Sequence, residues 1–137
     1  MLLSMIVVSV IYPKTGESWF DHDYYAQTHL PLVKSRWAGK RLERIDIVRG
    51  KTALGDGRPG FELIGQLTFT LIEDTQAAFA AAGNEILEDI PKFTDVEPLI
   101  QINQPVEPER HARGAGAIRA EVRPTRLRKF RVLALIL

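Results

Sequence analysis

Apolar residues run almost unbroken from Met5 to Tyr12 (MIVVSVIY), a β-branched stretch closed by Pro13 and Gly16. Such a run predicts a strand buried on both faces. From Asp21 to about Trp37 the pattern becomes helical. On that helix His22, Tyr25 and His29 fall within about 60° of one another. Val33 and Arg36 extend their stripe, while Asp23, Gln27 and Lys34 lie on a solvent-facing side. Asp21 is placed to cap this helix, and Gly39 helps to end it. Pro31 cannot donate to the carbonyl of Gln27, so a kink or re-start is expected near Thr28 to Leu30.

Further along, Leu42 to Val48 alternates as a strand. Residues 51–60 (KTALGDGRPG) carry turn chemistry. Phe61 to Ile72 is a second long strand, with Leu63, Gly65, Leu67, Phe69 and Leu71 on one face. Asp74 or Thr75 opens an alanine-rich helix to about Ile90, with a break expected at Gly83-Asn84 and a stop at Pro91. Val96 to Asn103 (VEPLIQIN) is the last strand, at an edge because of Pro98.

The order β-α-β-β-α-β is the ferredoxin-like split βαβ unit. It predicts an α+β fold, a four-stranded antiparallel sheet with two helices on one face. A first strand apolar on both sides then leaves the other sheet face in need of cover. A second copy of the chain is the simplest cover, so a homodimer through the open sheet face is expected.

Composition adds little except at the C-terminus. Residues 106–137 carry 8 Lys+Arg against 3 Asp+Glu in a chain of net charge +1. The boundary is therefore set near Pro105: a domain over 1–105, then a basic extension over 106–137, flexible or packed on the domain or a partner. The extension lacks interleaved aromatics, so a nucleic-acid role is not expected. The absence of cysteine excludes disulfides, thiolate metal sites and a Cys nucleophile. No stretch is apolar enough to span a membrane, and a cytoplasmic location is the default expectation.

The chemistry-bearing residues concentrate in DHDYYAQTHLPLV, residues 21–33. His29 is the candidate base, since an imidazole takes and returns a proton near neutral pH. Its structural alternative is a histidine bonded to a carbonyl freed by Pro31. Tyr25 shares its stripe and makes the candidate acid–base partner. Tyr24, Tyr12, His22 and Trp37 are candidate substrate-binding or pocket residues. His22 and His29 are about 10 Å apart along an unbroken helix, whereas zinc takes nitrogen ligands at about 2 Å, so no shared metal is expected. Glu85, Glu88 and Asp89 read as a solvated carboxylate cluster.

Taken together, MIVVSVIYP, the HDYYxxxHxPL pattern within residues 22–32, FTDVEPLIQI and the element order resemble the EthD family, over roughly residues 4–104. That family lies in the dimeric α+β-barrel group. The resemblance implies a ferredoxin-like unit dimerising through its sheet. It also implies a context in bacterial oxidative catabolism, first defined by the breakdown of an ether. Relatives in the wider group include cofactor-independent monooxygenases, lactone isomerases, polyketide cyclases and haem-handling enzymes, so fold alone does not fix chemistry. The expectation is a cofactor-independent enzyme or accessory protein acting on a small apolar organic ligand in a His/Tyr-lined pocket between helices and sheet. The alternatives are a non-catalytic carrier dimer and a structural dimer with a vestigial pocket.

Overall fold

The structure, a computed structural model, describes residues 5–106. Its elements follow the βαββαβ order. β1 is Ile6–Pro13; α1 (His22–Tyr24), a π-helical turn (Tyr25–His29) and α2 (Leu30–Trp37) form the first helical segment. β2 (Leu42–Arg49) and β3 (Phe61–Phe69) form a hairpin. α3 (Ile72–Asp89) ends in a 3-10 turn (Ile90–Lys92), and β4 (Leu99–Asn103) closes the order. The extension expected to begin at 106 falls outside the described residues from 107 onward.

All neighbouring strands are antiparallel in the order β2-β3-β1-β4. This is the ferredoxin-like arrangement. Because side chains alternate along a strand, Ile6, Val8, Val10 and Tyr12 of β1 point toward the helices. Two core clusters lie between the layers. One is aliphatic around Val8, Val33, Leu67 and Ile86, sealed by Trp37 and Phe69. The other is aromatic, built on Tyr12, Tyr25 and Phe93 with Leu63 and Ile90.

Several details differ from the sequence expectation. β3 stops at Phe69, and α3 begins at Ile72, because Asp74 reaches back to accept from the Leu71 amide at 3.0 Å. α3 also runs unbroken through Gly83-Asn84. Gly83 is buried, its missing side chain leaving room beside the Phe79 ring, and packing there outweighs the weak helix propensity of glycine. β4 starts at Leu99, after Pro98 rather than before it. The turn after α2 places Arg41, not Gly39, in the left-handed region, at φ 60°.

The first helix enters as expected. Asp21 accepts from the amides of Asp23 and Tyr24 at 3.1 and 3.0 Å. The kink predicted from Pro31 takes the form of the π turn, in which the Leu30 amide donates to the Tyr25 carbonyl one residue further back than an α-helix allows. No helix among the described residues is long and apolar enough to cross a membrane.

Candidate functional site

The π turn, the end of α3 and the sheet meet at one side chain, His29. It is buried, with 4% of its surface exposed. Its Nδ1 lies 2.9 Å from Oδ2 of Asp89, the last residue of α3. The other carboxylate oxygen, Oδ1, accepts from the Tyr24 hydroxyl at 2.8 Å. Lys92 lies 3.7 Å from the same oxygen. Backbone pairing holds the two helix ends in register. The Asp21 amide donates to the Phe93 carbonyl at 2.7 Å, and Thr94 donates its hydroxyl to the Trp19 carbonyl at 2.7 Å.

Charges at this pair follow from its surroundings. Burial alone would raise the Asp89 carboxyl. The hydrogen bonds from His29 and Tyr24, with the Lys92 charge, outweigh it and hold Asp89 below the usual carboxylate range. Burial lowers His29, and the opposing pull of Asp89 does not overcome it. The hydrogen bond to Asp89 keeps the Tyr24 phenol protonated, with its pKa raised. Asp89 is thus an ionised acceptor beside a neutral imidazole. An ionised carboxylate can only accept, so the proton sits on Nδ1. Nε2 then carries a lone pair, and it has no hydrogen-bonding side chain or backbone partner among the described residues. This is the arrangement that orients a general base.

His29 also lines a cavity between the helices and the inner sheet face. Tyr12, Tyr25, Leu30, Trp37 and Gly65 line it too, as do the exposed Leu87 and Ile100. Its enclosed part, about 40 Å³, takes a few water-sized groups, and a larger ligand would project through its open side. The Tyr25 and His29 rings lie 5.4 Å apart, and those of Tyr12 and Tyr25 6.2 Å apart, edge to face. Burial pushes the Tyr25 phenol far up, and burial with the proximity of Tyr25 does the same to Tyr12. Both stay protonated and can donate.

Of the residues singled out from the sequence, Tyr12, Tyr25, His29 and Trp37 therefore share one cavity. Trp37 spends its indole N–H on the Ala78 carbonyl at 2.7 Å, leaving only its apolar ring to the wall. Two others lie outside that cavity's lining. Tyr24 is not in the lining; its ring stacks on Phe93 and its hydroxyl serves Asp89. His22 is also absent from the lining. Its Nε2 pairs with Glu62, which Lys14 also contacts at 2.6 Å, pinning the helix start to the sheet.

Asp89 is the residue sequence reasoning missed. Placed with Glu85 and Glu88 on a solvated face, it is instead buried, while Glu85 pairs with Arg36 across the exposed helix surface. A signal existed: the buried stripe of α3 runs Thr75, Ala78, Ala82, Ile86 and then Asp89. A carboxylate on that helical period faces the core. Among the described residues no group of three or more His, Asp or Glu could hold a metal ion.

Comparisons with known proteins agree with the fold. The EthD domain family matches residues 18–97. An EthD-like protein from Ralstonia eutropha JMP134 shares 33% identity at a TM-score of 0.71, covering 79% of this chain and 97% of its own. An EthD family protein from Bacillus halodurans C-125 shares 18% identity (TM-score 0.54, 74% of this chain and 99% of that one). A protein from Bordetella bronchiseptica, named as a candidate antibiotic biosynthesis monooxygenase, shares 14% (TM-score 0.51, 76% and 99%). These last two show likeness of fold alone. A comparison with curated proteins found no match. With more than half of its length matched by the domain and a third of aligned positions shared with the Ralstonia protein, the chain belongs to the EthD family.

Proposed function

We propose that the chain is a cofactor-independent acid–base enzyme of bacterial oxidative catabolism, with His29 as the general base. Its substrate is a small, largely apolar organic molecule. One observation carries this reading: a buried imidazole whose Nδ1 is held by Asp89 lines an apolar cavity that two protonated phenols also line. Apolar walls with a few convergent polar groups are the usual make-up of a small-molecule site. Asp89 fixes the tautomer and stabilises the imidazolium when the base takes a proton, and Tyr24 holds Asp89 in place. Membership of the EthD family supports the catabolic setting.

The working unit of this proposal is a homodimer through the open sheet face. That face presents Val7, Ile11 and Ile64, with Val48 and Leu99 more than half exposed. Its polar centre is already paired: Ser9 donates to Gln66 at 2.8 Å, and Asn103 donates to Ser9 at 2.9 Å. Covering the face leaves these hydrogen bonds intact.

Native mass spectrometry of freshly purified protein, searching for a co-purified small molecule, supplies the first ligand. Turnover of that ligand is then compared between the natural chain and His29→Gln. Binding retained with turnover lost is the expected result. Equal turnover by both chains would contradict the assignment of the base. Binding with no turnover by either would make the protein a carrier.

A further inference from the structure

The cavity contains more polar chemistry than a lone base needs. Tyr12 and Tyr25 are 1% and 6% exposed, and neither hydroxyl has a hydrogen-bond partner among the described residues. Leaving a hydroxyl buried and unpaired is costly. The same aromatic cluster uses Phe20 and Phe93 where a ring alone is wanted. Packing therefore does not account for the two oxygens.

Their placement is specific. Tyr12 comes from the inner face of β1 and Tyr25 from the π turn, four residues before His29. The Tyr25 hydroxyl lies over Gly65, where a Cβ would stand 3.6 Å from it. Gly65 leaves that oxygen space within the cavity. Tyr12, Tyr25 and the unprotonated His29 ring thus line a single, largely apolar chamber.

Resting on His29 as the base, we propose that Tyr12 and Tyr25 form an oxyanion hole, and that the substrate is a compact carbonyl compound with an acidic C–H next to the carbonyl. In the step this implies, Nε2 of His29 takes the proton from the α-carbon. The C–H electron pair becomes the carbon–carbon π bond, and the carbonyl π pair moves to oxygen. The enolate oxygen accepts from both phenols. Return of the proton from Nε2 to carbon, or its delivery to another position, closes the cycle with no oxidant or reductant. Donors fixed in a water-poor cavity stabilise such a developing charge far better than water does.

Two probes test the pair. 4-Nitrophenol mimics an enolate, and its absorbance distinguishes the bound anion from the neutral phenol; nitrobenzene has a similar body without the anionic oxygen. Tyr12→Phe and Tyr25→Phe should each weaken nitrophenolate binding by about tenfold or more and leave nitrobenzene binding within about twofold of the natural chain. Thermal midpoints confirm that both variants fold. In heavy water the natural chain should exchange the α-protons of cyclohexanone, read by proton NMR, and His29→Gln should lose this exchange while still binding nitrophenolate.

Exchange that depends on His29 but not on either tyrosine would overturn the oxyanion hole and leave the base intact. No exchange by the natural chain would overturn the substrate class. Tyrosine-dependent nitrophenolate binding and exchange, with His29→Gln exchanging normally, would uphold the oxyanion hole and refute the base.

Discussion

Asp89 sets the chemistry of His29, and its removal should be costly. Asp89→Ala strands the buried Nδ1–H of His29 and takes the partner from the half-buried Tyr24 hydroxyl. A loss of about 1–3 kcal/mol is expected, read from urea unfolding; unchanged stability would mean the pair is not formed. Proton linkage gives a second expectation. The folded pKa of His29 is lowered from 6.5, so the unfolded chain binds more protons as pH falls past that value. The stability that neutral His29 contributes is complete above the unfolded pKa and is lost as pH falls toward the folded one. Asp89 behaves alike at lower pH, its depressed folded pKa meaning stability lost as it is finally protonated. Unfolding titrations should thus show stability declining below about pH 6.5, and His29→Gln should flatten the upper part of that decline. Stability rising on acidification would contradict both directions.

Among the elements, α3 carries a compromise between fold and cavity. Gly83 sits in mid-helix and lines the cavity, and an added Cβ would meet the Phe79 ring at 3.4 Å, an ordinary contact. Gly83→Ala should therefore raise stability by about 0.5–1 kcal/mol through helix propensity while narrowing the cavity and weakening 4-nitrophenol binding. A destabilised variant would show that the helix has no room there. The same residue explains one failure of pattern reading. Gly83-Asn84 has the composition of a break, yet the stripe from Thr75 to Asp89 packs continuously, and burial overrides local propensity. The cap at Asp21 and the disturbance at Pro31 were legible because each follows from one residue's own hydrogen-bonding capacity. That the disturbance would be a π turn was not, because it depends on what the sheet and α3 offer across the gap.

At the level of the whole molecule, element order and the two-layer fold class could be read from periodicity, whereas the His29–Asp89 pair could not. Sixty residues separate these two side chains, and only the docking of α3 brings them together. The open sheet face leads to an expectation of its own. Sedimentation equilibrium should give a dimer, and Ile64→Lys, placing a charge on that face, should shift it toward monomer with the cavity intact; a natural chain that sediments as a monomer would refute the proposed unit. The most direct test of the central claim is nitrogen-15 NMR of the His29 ring in the intact protein near pH 7. A neutral ring protonated on Nδ1, with Nε2 bare and charging only below the ordinary histidine pKa, is the predicted result. A ring already charged at that pH, or one carrying its proton on Nε2, would contradict it.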